Sequence, residues 1–237
     1  MKNTSSVPQE KTIEFLSQWP HYFGAVALIS TSAYIFTASE QLFAVLASLL
    51  FGALIYAGRP FWTIYGKTGG VANTITGLRV AGIISLLYFQ QYLHAYVFLV
   101  LGILILVADG LDGYYARKYN TVSEFGDFFD KETDAFFVLA FCIIILEQQL
   151  LGIWVIIPAI LRYAFVLVLY LFRIEHIELE PSFRRRFVGM WFMGTIMGCF
   201  VLPEAFYTTA MIFASTMLAY SFMKDFYLML KQRDYQG

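Results

Sequence analysis

Charge is scarce in this 237-residue chain: Asp, Glu, Lys and Arg make up 14% of it and the two signs nearly cancel, at −1. A soluble domain carries about 25% charged residues, so an ordinary soluble enzyme, a disordered chain and a collagen-like repeat are excluded. Lys and Arg form no long basic arm, which argues against a nucleic-acid partner, because phosphate binding needs clustered cations. Cysteine is limited to Cys142 and Cys199, both inside apolar stretches and without metal-ligand spacing. They are expected to be small buried packing residues. His21, His94 and His176 are equally isolated and are expected at the interface or the surface.

What the chain has in abundance is apolar surface: 59% hydrophobic residues, 19% aromatic, and a mean hydropathy of +0.65. A membrane helix needs about 20 mostly apolar residues to cross a hydrocarbon core roughly 30 Å thick. Segments of that size fall near 22–39, 41–58, 73–90, 93–112, 132–150, 152–173, 187–203 and 205–223. The expectation is an all-α integral membrane protein of about eight transmembrane helices. With the N-terminus inside, every Lys and Arg except Arg79 and Arg162 falls on inner segments, and the outer turns carry none. Cytoplasmic loops are enriched in these residues, so both termini are expected in the cytoplasm, with the chain in the cell (inner) membrane. Trp19, Trp62 and Trp154 lie near span ends, as interfacial anchors do. Residues 1–20 do not read as a cleavable signal.

Acids are concentrated where chemistry is to be sought. Seven of the 17 Asp and Glu residues lie between Asp109 and Asp134. Asp109 and Asp112 are three apart and Asp130 and Asp134 four apart, so each pair shares one face of its helix. One pair closes the fourth span and the other opens the fifth, and the short loop between them permits all four to converge at the inner interface. Crowded carboxylates repel unless cations neutralise them, and an all-oxygen set favours Mg²⁺, Mn²⁺ or Ca²⁺ over zinc. Gly110, Gly113 and Gly126, with Ala116, remove bulk beside the acids, either for tight helix packing or for a ligand that approaches the backbone.

The run Asp109-Gly-Leu-Asp112-Gly113-Tyr-Tyr-Ala116-Arg117, followed after eight residues by Gly126-Asp-Phe-Phe-Asp130-Lys-Glu-Thr-Asp134, fills every fixed position of D-x-x-D-G-x-x-A-R-x8-G-x-x-x-D-x-x-x-D. It resembles the signature of the CDP-alcohol phosphotransferases (CDP-alcohol phosphatidyltransferases). Asn73-Thr-Ile-Thr76-Gly-Leu-Arg79 is similar, more loosely, to the N-x-x-T-x-x-R that opens the family's first core helix. The resemblance implies a six-helix catalytic core over 73–225, a cytoplasmic segment at 1–21, an extra transmembrane hairpin at 22–58, an interfacial linker at 59–72 and a tail at 226–237. It implies a homodimeric enzyme that transfers a substituted phosphate from a CDP-linked donor to a hydroxyl and releases CMP. By position, Asp109, Asp112, Asp130 and Asp134 would hold two divalent cations, Mg²⁺ or Mn²⁺, with Asp134 also the general base. Asp112, Gly113, Ala116, Arg117, Gly126, Asn73 and Thr76 would form the CDP pocket.

The acceptor is read from the remaining cations. An intramembrane arginine is a functional candidate by default, which singles out Arg162, with Arg173 three turns further on the same face. Together with Arg79 these could receive an anionic alcohol; alternatively, Arg162 pairs with a buried acid. The run Arg184-Arg185-Arg186 is expected to contact anionic headgroups. It stands where glycerophosphate-accepting relatives have a G-K-x-K-T-like stretch, which disfavours glycerol 3-phosphate. The leading expectation is phosphatidyl transfer from CDP-diacylglycerol to a small polar alcohol. Transfer from a soluble CDP-alcohol to a lipid alcohol is second, and a cation transporter built on the acids or an inactive lipid-binding scaffold belongs to other classes.

Overall fold

The computed structural model describes residues 9–65, 70–171 and 182–236, with side chains over 20–57, 70–171 and 182–231. Within them the chain forms eight α-helices, α1 (Gln9–Thr37), α2 (Glu40–Tyr65), α3 (Gly70–Phe89), α4 (Ala95–Lys118), α5 (Glu124–Glu147), α6 (Ile156–Leu171), α7 (Phe183–Gly198) and α8 (Glu204–Gln236), and no strand. Helix is the expected answer for such apolar runs, since hydrocarbon offers no partner to backbone amides and the segment must satisfy them itself. Among the described residues, four stretches are long and apolar enough to cross a membrane: Glu40–Ala57, Gly70–Tyr92, Ala95–Lys118 and Ile153–Leu171. Large apolar side chains such as Leu49, Leu78, Leu104 and Phe206 point outward, as they do on a surface that meets lipid. The structure thus supports an integral membrane protein.

Helix ends differ from the expected spans in a way that matters. α4 continues to Lys118, so Asp109 and Asp112 sit inside the helix rather than at its end. α5 begins at Glu124, eight residues before its apolar part, because Ser123 caps it by accepting a hydrogen bond from the Gly126 amide at 3.0 Å. The turn between them is closed by the Thr121 amide on the Ala116 carbonyl at 2.9 Å, with Asn120 in the left-handed region (φ 53). α2 continues through Tyr65, so Arg59–Tyr65, expected in a linker, belongs to that helix.

α5 is the central helix: Phe136, Phe137 and the run Leu139–Ile145 are buried. α3 packs against both α4 and α5, α6 and α7 also touch α5, and α7 pairs with α8. The hairpin α1–α2 lies along the other side, α1 on α6 and α2 on α3 and α5. Cys142 and Cys199 are free and buried, as expected.

Candidate active site

The four motif aspartates meet, and a residue of α3 brings them together. Arg79 Nη1 donates to Asp112 Oδ2 (2.9 Å) and Asp130 Oδ1 (2.7 Å); Nη2 reaches Asp109 Oδ1 (2.8 Å) and Asp134 Oδ1 (2.5 Å). Its side chain is 1% exposed. Arg79 was expected on the acceptor side and is instead the hub of the acidic cluster. Thr76, one turn earlier on the same face of α3, donates to Asp112 Oδ2 at 2.9 Å. Asp112 is buried, while Asp109, Asp130 and Asp134 are half-buried and keep an open edge.

Were all four carboxylates ionised, one guanidinium would leave a surplus of negative charge in a confined space, which further cations would neutralise. Ligand oxygens of Asp109, Asp112 and Asp130 lie within 4.8 Å of one another. This oxygen-only donor set suits hard divalent ions and can hold a metal. Asp134 lies outside that closest grouping and touches the cluster through Arg79.

Two clefts open on either side of the acids. The first, about 320 Å³, is lined by Asn73, Thr76, Asp112, Gly113, Ala116, Arg117, Gly126 and Asp130, with Thr121 and Ser123 from the turn. All seven residues expected around CDP therefore border one space. Gly126 sits in tight surroundings: a Cβ there would stand 3.0 Å from Asn73 Oδ1 and 3.1 Å from Ser123 Oγ, so both side chains would have to give way by a few tenths of an ångström. At Gly113 a Cβ would meet the Arg117 guanidinium at an ordinary 3.5 Å. Gly110 has open space beside it and does not border the cleft.

The second cleft, about 220 Å³, lies among α5, α6, α7 and α8. Lys131, Asp134 and Arg162 supply its polar groups, and Pro158, Phe192, Met193, Leu218 and Phe222 much of its apolar wall. Arg162 pairs with a buried acid, the alternative raised from sequence: its Nη2 donates to the buried carboxylate of Glu132, while the residue also borders the cleft. Lys131 pairs with Asp127 at 2.6 Å. Arg173 and His176 lie outside the described residues. The arginine run departs from expectation, because Arg184 turns inward to Ser221 and Asp225 of α8 and Arg185 lies 3.8 Å from Asp225. His21 lies against Tyr170, the rings tilted with centroids 4.8 Å apart, and His94 precedes α4; neither borders the clefts.

Sequence reasoning missed the hub role of Arg79 and the partner of Arg162. The spacing Asn73, Thr76, Arg79 carried the first signal, since three-residue steps place all three on one stripe of α3. Glu132 carried a weaker one, as a fifth acid between two motif aspartates on a different face of α5.

Comparison with known proteins agrees with this geometry. A segment of 63 residues is 41% identical to CDP-diacylglycerol–glycerol-3-phosphate 3-phosphatidyltransferase of Bacillus subtilis, covering 27% of this chain and 33% of that protein. The enzyme of the same name from Haemophilus influenzae is 44% identical over 55 residues, 23% of this chain and 29% of the relative. An uncharacterized protein of Aquifex aeolicus is 39% identical over 80 residues, 32% and 39% of the two chains. The chain thus spans about a third of the length of the curated relatives it matches. No solved structure matches it. The family pattern of the CDP-alcohol phosphatidyltransferases matches residues 70–225, more than half of the chain and almost the core expected from the motif, so the chain belongs to that family.

Proposed function

We propose that the chain transfers a phosphatidyl group from CDP-diacylglycerol to the hydroxyl of a small polar alcohol, releasing CMP, at the cytoplasmic face of the inner membrane. The observation that carries this reading is the pair of clefts flanking one row of acids: Asp130 borders the first and Asp134 the second. A donor in one and an acceptor in the other would meet at α5. Family membership and the shared segments with two named phosphatidyltransferases support the reaction type.

Asp109, Asp112, Asp130 and Asp134 would hold two Mg²⁺ or Mn²⁺ ions, which when bound supply neutralising charge to the donor pyrophosphate and the departing CMP. Arg117, in the first cleft, is the natural partner for a phosphate oxygen. Asn73 and Thr76 offer hydrogen bonds in the same space, and Gly113, Ala116 and Gly126 leave room for the nucleotide. Asp134 faces the second cleft, where it takes the proton from the attacking hydroxyl; placed among acids, it works by position. Arg162 and Lys131 favour an anionic acceptor, a class that includes the glycerol 3-phosphate named for both relatives. Arg173 belongs to the same proposed acceptor side. In this reading all eight helices cross, both termini face the cytoplasm, α1–α2 is an addition to the six-helix core, and the protein is a homodimer.

A second reading is favoured by the apolar wall of Phe192, Met193, Leu218 and Phe222: the second cleft would take a lipid alcohol and the donor would be a soluble CDP-alcohol. The test is purified protein in liposomes with Mn²⁺, each donor class, and glycerol 3-phosphate, inositol phosphate or serine as acceptor. CMP release and the lipid product, read by mass spectrometry, separate the two directions. Asp134→Asn is expected to slow CMP release by about 10²–10⁴-fold while Mn²⁺ binding, measured by calorimetry, persists. Absence of CMP release by the wild type with every pair would overturn the enzyme reading.

A further inference from the structure

α5 has a second charged face that the motif does not use. Glu132 lies two residues from both Asp130 and Asp134, so it is turned about 200° from them around the helix. Its stripe contains Phe129 and Phe136, three residues before and four after it. Both rings pack against Phe51 of α2, at centroid distances of 6.3 and 4.9 Å. Phe51 in turn meets Phe23 of α1 at 5.2 Å, and Phe23 stacks on Tyr163 of α6 at 6.4 Å. α1 and α6 run close together at Gly24, where even a Cβ would touch the Tyr163 carbonyl oxygen at an ordinary 3.5 Å. The hairpin, which precedes the family-matching stretch, thus closes over the seam between α5 and α6.

Glu132 is left 2% exposed in that seam. A carboxylate so enclosed must find a cation, and Arg162 is the one it has. The pair could simply staple α5 to α6. A staple of that kind would be covered on both sides, yet the Arg162 side chain stays 32% exposed and borders the second cleft beside Asp134. Nη2 is anchored on Glu132 and Nε is buried, which leaves the Nη1 edge to face a ligand. Asp134 is the carboxylate that lines that cleft, whereas Glu132 lies behind it, so Glu132 also holds Arg162 away from the proposed base.

We propose that Glu132, sealed by the N-terminal hairpin, is a positioning residue: it fixes the Arg162 guanidinium to receive the anionic group of the acceptor and keeps it off Asp134. The inference rests on the transfer reaction proposed above and adds to it a residue and a role for the hairpin. The experiment compares wild type, Glu132→Gln, Glu132→Asp and Phe51→Leu in liposomes, with CDP-diacylglycerol and glycerol 3-phosphate varied separately. Inositol phosphate replaces glycerol 3-phosphate if the wild type uses only that. Glu132→Gln is expected to raise the acceptor KM by about tenfold or more and leave the donor KM within about twofold. Glu132→Asp restores part of the loss, and Phe51→Leu gives a smaller rise of the same kind. A thermal melt identifies any variant that has not folded; if Glu132→Gln is one, Glu132→Asp decides by the same comparison of KM values.

An unchanged acceptor KM in the folded variant, or donor and acceptor KM rising in step, would leave Glu132 a mere staple and overturn the proposal. Those results would leave the transfer reaction standing, because the wild type would still release CMP. A wild type that releases CMP with neither anionic acceptor removes this role, and one that releases none with serine either removes the transfer reaction as well.

Discussion

Arg79 shows how much a single side chain can decide in a low-dielectric interior. Four carboxylates at hydrogen-bond distance from one guanidinium form a cluster in which no member is indifferent to loss of the centre. Removing one partner of a buried ion pair costs about 3–5 kcal/mol, because the uncompensated charge remains. Arg79→Gln is therefore expected to lower the thermal midpoint in chelator. Added Mn²⁺ should raise that midpoint by more in the variant than in wild type, since ligand binding to the folded state stabilises it and the acids then lack their internal cation. An equal Mn²⁺ shift in both proteins would mean that the acids do not grip the ion as a unit. At this scale the sequence was informative about which acids act, since the spacings 109/112 and 130/134 follow from helix geometry alone. It was less informative about which cation they share: Arg79 and Arg162 both lie within apolar spans, and only the spacing of Asn73, Thr76 and Arg79 sets the hub apart from the cleft residue.

Among helices, what could be read was existence and approximate extent; what could not was neighbourhood. The short turn after Lys118 suggested that α4 and α5 present their acids directly to each other, whereas α3 packs against both and its Arg79 joins the two pairs. In lipid both faces of a helix are apolar, so periodicity does not reveal which face meets protein, and packing is chosen by shape, small residues and polar contacts. The helix ends follow the same logic, because the Ser123 cap and the turn at Asn120 are polar local features with no apolar signal. The inward turn of Arg184 has consequences for α7 and α8, which it joins through Ser221 and Asp225. Those acceptors are mostly buried, so Arg184→Ala is expected to cost on the order of 3 kcal/mol and loosen α8 from α7. Unfolding in mixed micelles measures it. A loss as small as that of Arg186→Ala would return Arg184 to the lipid-headgroup role expected from sequence.

For the whole molecule, the proposed arrangement of eight crossings joins the charge distribution of the sequence to the eight helices of the described residues. Four helices meet the length and apolar content of a crossing outright. α5 carries its acids inside the helix and α7 has 16 residues, so these two depend on neighbours to make a crossing tolerable. Acids within a membrane segment are expected to face the bundle or a polar cavity, as Asp130 and Asp134 do, and a short helix can be accommodated by local thinning of the bilayer. The proposed eight-crossing arrangement assigns each turn to a side. Asn120, exposed in the turn after α4, belongs inside; Ala38, between α1 and α2, and Gln149, after α5, belong outside. Both native cysteines are buried, so a cysteine introduced at each turn can be read against a low background. An impermeant maleimide is expected to label Asn120→Cys only in inside-out vesicles, and Ala38→Cys and Gln149→Cys only in right-side-out ones. Labelling of Asn120→Cys and Gln149→Cys from the same side would mean that α5 does not cross. The acids would then belong to a helix lying on the membrane rather than to one that carries them to its edge.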